Sequence, residues 1–208
     1  MKIIAVVVVV AIGMYVIVEN LKRSAYKRLV TYLQEGKLEE FHKEIDSQSI
    51  KFLFPKISVL DMKLNAAIVE QNKKQTIAYL EQICAMPLPN SQKEIYYMKA
   101  FNFFVGISDK KNCKLYLDKI NQLPNERLKQ EANRVYNIYI LKNDKYLKDL
   151  LEELEEMEDS QKGVNEFLIS IIYKNMKDFE KAEYYEELSK EHFALVDEMT
   201  SKKLNKQE

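Results

Sequence analysis

Glycine and proline are scarce in this chain: four of each in 208 residues, where glycine alone ordinarily makes up about 7% of a globular protein. That shortage excludes folds built on glycine-rich phosphate loops, dinucleotide fingerprints or many tight hairpins. Tryptophan is absent, and two cysteines are too few for a disulfide-stapled scaffold. Neither sign of charge dominates. Lys and Arg number 32, Asp and Glu also 32, so the net charge is zero and no nucleic-acid partner is expected. What the chain does have is 47% hydrophobic beside 31% charged residues, the balance of a folded protein.

The longest apolar run opens the chain. Residues 3–18 (IIAVVVVVAIGMYVIV) carry no charge. As a helix they would span roughly 24 Å, close to a hydrocarbon core of about 30 Å. No small-residue cleavage pattern follows, but Lys22, Arg23, Lys27 and Arg28 do. The expectation is an uncleaved transmembrane anchor at 1–21, in the lipid bilayer through residues 3–18, then a basic juxtamembrane segment at 22–28. The positive-inside rule would put the rest of this single-pass cell-membrane protein in the cytoplasm.

Beyond residue 28 the hydrophobic residues recur at three- and four-residue spacing, as in Leu147, Leu150, Leu151 and Leu154. No period-2 strand with flanking turns is present, so the body is expected to be all-α. Gly36 suits a left-handed helix end, Ser91 to Glu94 reads as a capping box, and Asn125 as an N-cap. Short polar turns fall at 35–37, 72–74, 108–110, 143–145 and 177–178, and second helices end their apolar faces at Ile83, Ile120, Leu154 and Leu188. A spacing near 34 residues with two helices per unit matches the tetratricopeptide length.

The last unit carries the closest likeness. Ser170, Tyr173, Phe179 and Ala182 stand where a tetratricopeptide repeat has a small residue, a packing Tyr, an aromatic and a close-packed Ala. The chain thus resembles the tetratricopeptide family, although Ser170 replaces the family's Gly and its opening Trp is missing. The resemblance implies an α-solenoid of about five helix pairs over 29–195, followed by a flexible tail at 196–208. It also implies that first helices line a groove for a protein or peptide partner, with Lys99, Asn102, Asn133, Arg134 and Asn137 as the groove residues and Gln130 on the same stripe.

Chemistry is sparse. His42 and His192 lack further ligands at metal-binding spacing, so no metal is expected. Cys84 and Cys113 sit on apolar helical faces and read as small hydrophobes. The acidic run Glu152, Glu153, Glu155, Glu156, Glu158 and Asp159 interleaves with leucines and reads as a solvated helix face. No nucleophile motif occurs, so neither an enzyme nor a cofactor is expected. The leading reading is a membrane-anchored interaction module or scaffold. The alternatives are an outward-facing or secreted structural helical protein and, lastly, an enzyme.

Overall fold

The computed structural model describes the backbone of residues 2–204 and the side chains of residues 12–197. Every element in it is helical, and no strand occurs among the described residues. The chain divides into two compact units, Met1–Leu88 and Pro89–Glu208. The boundary falls between Pro87 and Pro89, where two prolines withdraw backbone donors and stop helix formation.

The first unit holds α1 (Lys2–Gln34), α2 (Leu38–Ile45), α3 (Gln48–Leu53), α4 (Lys56–Val69) and α5 (Lys73–Cys84). Its core gathers Ala25 and Leu29 of α1 with Phe41, Ile45, Ile50, Val59 and Ala66. The second unit holds α6 (Asn90–Gly106), α7 (Lys110–Asn121), α8 (Glu126–Val135), a π-helical segment (Tyr136–Leu141), α9 (Leu147–Glu156), α10 (Asp159–Met176) and α11 (Phe179–Leu204). One of its clusters joins Ile138, Leu150, Ile169, Ile172, Tyr173 and Ala182. In its first pair, α6 and α7 bury Phe101, Phe104, Cys113 and Ile120, and Phe104 stacks on Tyr116 with centroids 5.6 Å apart.

The expected membrane anchor is the main correction. Among the described residues no helix is long and apolar enough to cross a membrane. α1 is one continuous helix of 33 residues. Where its side chains are described, its uncharged stretch covers only residues 12–18 before Glu19; residues 3–11 of the expected anchor lie outside the described side chains. The single-pass anchor and the cytoplasmic topology derived from it are not supported. Ile12, Met14, Tyr15, Val16 and Ile17 are exposed on this helix. Two of the four basic residues read as orienting it have partners in the protein: Lys22 pairs with Glu19 at 3.0 Å, and Arg28 donates to Glu44 of α2 at 2.6 Å.

Five turns repeat one backbone device. Gly36, Gln71, Ser108, Lys142 and Lys177 all have positive φ, between 54° and 69°, at steps of 35, 37, 34 and 35 residues. Each ends the first helix of a pair. In four of them the next residue donates its N–H to the carbonyl five positions back: Lys37 to Tyr32, Asn72 to Ala67, Asp109 to Phe104 and Asp178 to Tyr173. This is the Schellman closure, which satisfies carbonyls left over at a helix end. In three of the four that same residue then caps the following helix: Asn72 accepts from Gln75 N–H, Asp109 from Asn112 and Asp178 from Lys181. The fourth turn is one residue longer, Asn143 reaching back to Asn137, because the π-helical segment inserts an extra residue there. The chain therefore has the architecture of successive helix pairs, compatible with a helical repeat fold.

Asn125 caps α8 as expected, accepting from Leu128 N–H at 3.1 Å. The capping box does not form. α6 starts at Asn90 behind Pro89 without a side-chain cap, and Glu94 instead accepts from Asn125 Nδ2 at 2.9 Å. In the last pair Ser170, Tyr173 and Ala182 are buried, and Tyr173 stacks on Tyr185 at 5.7 Å. Phe179 departs from the expected seam. It is 68% exposed, because it is the first residue of α11 and lies ahead of the turn that packs. α11 runs to Leu204, and residues 205–208 of the expected tail lie outside the described residues.

Candidate functional site

The second unit contains a groove of about 660 Å³. Its walls come from the first helices of three successive pairs: Met98 and Asn102 of α6, Gln130, Arg134 and Val135 of α8, and Gln161, Val164, Asn165 and Leu168 of α10. Glu153 of α9 and Met157 close one side. The helical period makes this possible. Gln130 and Arg134 are four apart, as are Met98 and Asn102, so each pair shares one face of its helix.

Arg134 is the most constrained group there. Its two terminal nitrogens reach both carboxylate oxygens of Glu153, at 2.6 and 3.0 Å, as a fork-to-fork pair. Its guanidinium lies 5.9 Å from the Tyr146 ring centroid. Glu153 also accepts from the buried Asn165 amide at 2.8 Å. The Arg134 hydrogen bond first, and the Asn165 amide with it, holds the Glu153 carboxyl below the usual carboxylate range against the opposing effect of burial. Arg127, at the groove edge, pairs with Glu131 at 3.3 Å.

Of the five residues expected in the groove, Asn102 and Arg134 are on its lining. The other three have different surroundings. Lys99 lies over the Tyr96 ring, 5.6 Å from its centroid. Asn133 donates to Asn121 of α7 at 2.8 Å and to the Lys129 carbonyl. Asn137 donates to the Asn133 carbonyl and accepts from Asn143 Nδ2 at 3.0 Å. Asn133 lies in the regular part of α8, next to Arg134 and so about 100° away from it around the helix. Asn137 lies within the π-helical segment, where the wider turn departs from the 3.6-residue step. In the same segment the Ile138 carbonyl accepts from Asn175 of α10 at 2.9 Å.

No protein-family model, curated protein or solved structure matches the chain. The groove is therefore read from its own chemistry.

Other candidate chemistry has structural partners. His42 pairs with Glu70 at 2.5 Å, and His192 with the buried Glu166 at 2.7 Å. Among the described residues no group of three or more His, Cys, Asp or Glu side chains gathers as metal ligands would. Cys113 is fully buried, and burial pushes its thiol up to about 11, away from the thiolate a nucleophile needs. Cys84 is half-buried. The acidic run is not one helix face. α9 stops at Glu156, Met157 turns the chain, and Asp159 opens α10, where it pairs with Lys162 at 2.7 Å.

The sequence reading missed Glu153, Asn165, Met98 and Val164 in the groove. Glu153 was hidden inside the acidic run. Its partner Arg134 is 19 residues away, too far for any local signal to join them.

Proposed function

We propose that this chain is a protein-interaction module whose second unit is a tetratricopeptide-like stack of three helix pairs that binds a peptide segment of a partner. One observation carries the reading: the groove is lined by α6, α8 and α10, the first helix of each of three consecutive pairs. Stacking pairs in this way places residues about one repeat apart side by side, which makes an extended concave surface. The groove mixes apolar floor residues with amide side chains. Asn102 and Gln130 are exposed in it and carry both donors and acceptors for a peptide backbone.

Site-specific photo-cross-linking tests the proposal. A photoreactive residue at Gln130 or Asn102 should give a discrete protein adduct, and one at Lys111 on α7 should not. Val164, 57% exposed on the groove lining, supplies the block: Val164→Glu should abolish the adduct without unfolding the chain. Equal adducts from both faces, or an adduct indifferent to Val164→Glu, would refute a groove-borne function.

A further inference from the structure

The charges of the groove are paired inside it. Among the described residues its four charged lining side chains form two ion pairs, Arg134 with Glu153 and Arg127 with Glu131. Arg127 and Glu131 are an exposed pair one helical turn apart, of a kind that contributes little. Arg134 and Glu153 are half-buried and joined at both ends of the fork, and Glu153 is tied as well to the buried Asn165. A partner's carboxylate could take the Arg134 fork only by displacing Glu153. A partner's lysine could take Glu153 only by leaving Arg134 alone. Either exchange strands a half-buried charge without its counter-charge.

The amides of the groove are in the opposite condition. Asn102 of α6, Gln130 of α8 and Gln161 of α10 are exposed on its lining, one on each of three successive first helices. Among the described residues none of these three side-chain amides makes a hydrogen bond. Each carries two donors and a carbonyl acceptor, and no charge. That set matches a peptide unit, which has one N–H and one C=O. A helical peptide bonds those groups within itself, whereas an extended one leaves them free. The same lining carries Met98, Val164 and Leu168, which suit apolar side chains.

We infer that the occupant of the groove is an uncharged, extended peptide segment, its backbone held by Asn102, Gln130 and Gln161 and its apolar side chains against Met98, Val164 and Leu168. This rests on the reading of the second unit as a peptide-binding module. The internally paired charges then act against charged segments, which is specificity by exclusion. Binding of this kind has no counter-charge for salt to screen.

The test uses the full chain and three amidated octapeptides with an uncharged N-terminal fluorophore, in which leucine alternates with glutamine, lysine or glutamate. Fluorescence polarisation should show the Leu/Gln peptide binding about fivefold or more tighter than either charged peptide. Its Kd should not move between low and high salt. N-methylating its backbone removes donors but no side chain, and should weaken it about tenfold, as should Gln130→Ala/Gln161→Ala. Glu153→Gln frees the Arg134 fork and should shift preference toward the Leu/Glu peptide. Val164→Asn, a neutral change, should weaken the Leu/Gln peptide, which separates groove binding from adhesion elsewhere. If a charged peptide binds as well as Leu/Gln and both depend on Val164, the groove binds peptides but the uncharged partner is refuted. Binding indifferent to N-methylation would refute the hold on an extended backbone. If no peptide binds in a Val164-dependent way, the inference falls, and cross-linking at Asn102 decides the module reading separately.

Discussion

The left-handed turns make a quantitative demand on stability. Four of the five are occupied by residues with a Cβ: Gln71, Ser108, Lys142 and Lys177. A side chain in that region costs about 1–2 kcal/mol through the clash of Cβ with the following carbonyl. Among the described residues none of the four side chains makes a hydrogen bond or ion pair, so replacing them loses no contact of that kind. Glycine gives back about 0.4–1 kcal/mol through a more disordered unfolded chain. Ser108→Gly, Lys142→Gly and Lys177→Gly should therefore each stabilise the second unit by roughly 0.5–1 kcal/mol. They lie 34 and 35 residues apart in separate turns, so the gains should add to about 2 kcal/mol in the triple variant. Gly36 supplies the opposite arm. A Cβ there would meet nothing within 4 Å, so Gly36→Ala isolates the backbone cost, again roughly 0.5–1 kcal/mol but destabilising. Urea unfolding followed by the helical circular dichroism signal reads both arms. A triple variant no more stable than the parent, or a Gly36→Ala variant no less stable, would show that these turns do not hold the strained geometry.

Ala182 is 1% exposed between α10 and α11, so Ala182→Phe should overpack the seam and cost roughly 1–3 kcal/mol in the same assay. An unchanged midpoint would mean that the last pair is not closed there. Acid unfolding should report the Glu153 clamp. Its folded carboxyl titrates below the usual range, so its contribution is present above that range and is lost as pH falls through the lower folded value. Glu153→Gln should accordingly lower stability at neutral pH and flatten the acid limb below about pH 4.5. A variant with an acid limb as steep as the parent's would place the titration elsewhere.

The division into helix pairs was legible in the residues because its causes are local. Gly36, Asn72, Asp109 and Asn125 each act through hydrogen bonds that span five residues or fewer. The buried face of α10 and α11 was legible for the same reason. Ser170 and Tyr173 are three apart on one face of α10, and Ala182 follows the short turn at Lys177 into the first turn of α11, so all three depend on the pair alone.

Other features belong to the tertiary structure alone. Ser91 and Glu94 have the spacing of a capping box, yet Glu94 turns to Asn125, 31 residues away, which no local pattern could announce. The same holds for the groove. A stripe of polar residues was visible on α8, but helical spacing could not foresee the π-helical segment that takes Asn137 out of it. Nor could it show that Arg134 already holds a carboxylate from a helix 19 residues on. Capping and periodicity are decided within a turn or two of backbone. Which acid meets which base, and which face is left open, depends on how whole helices pack.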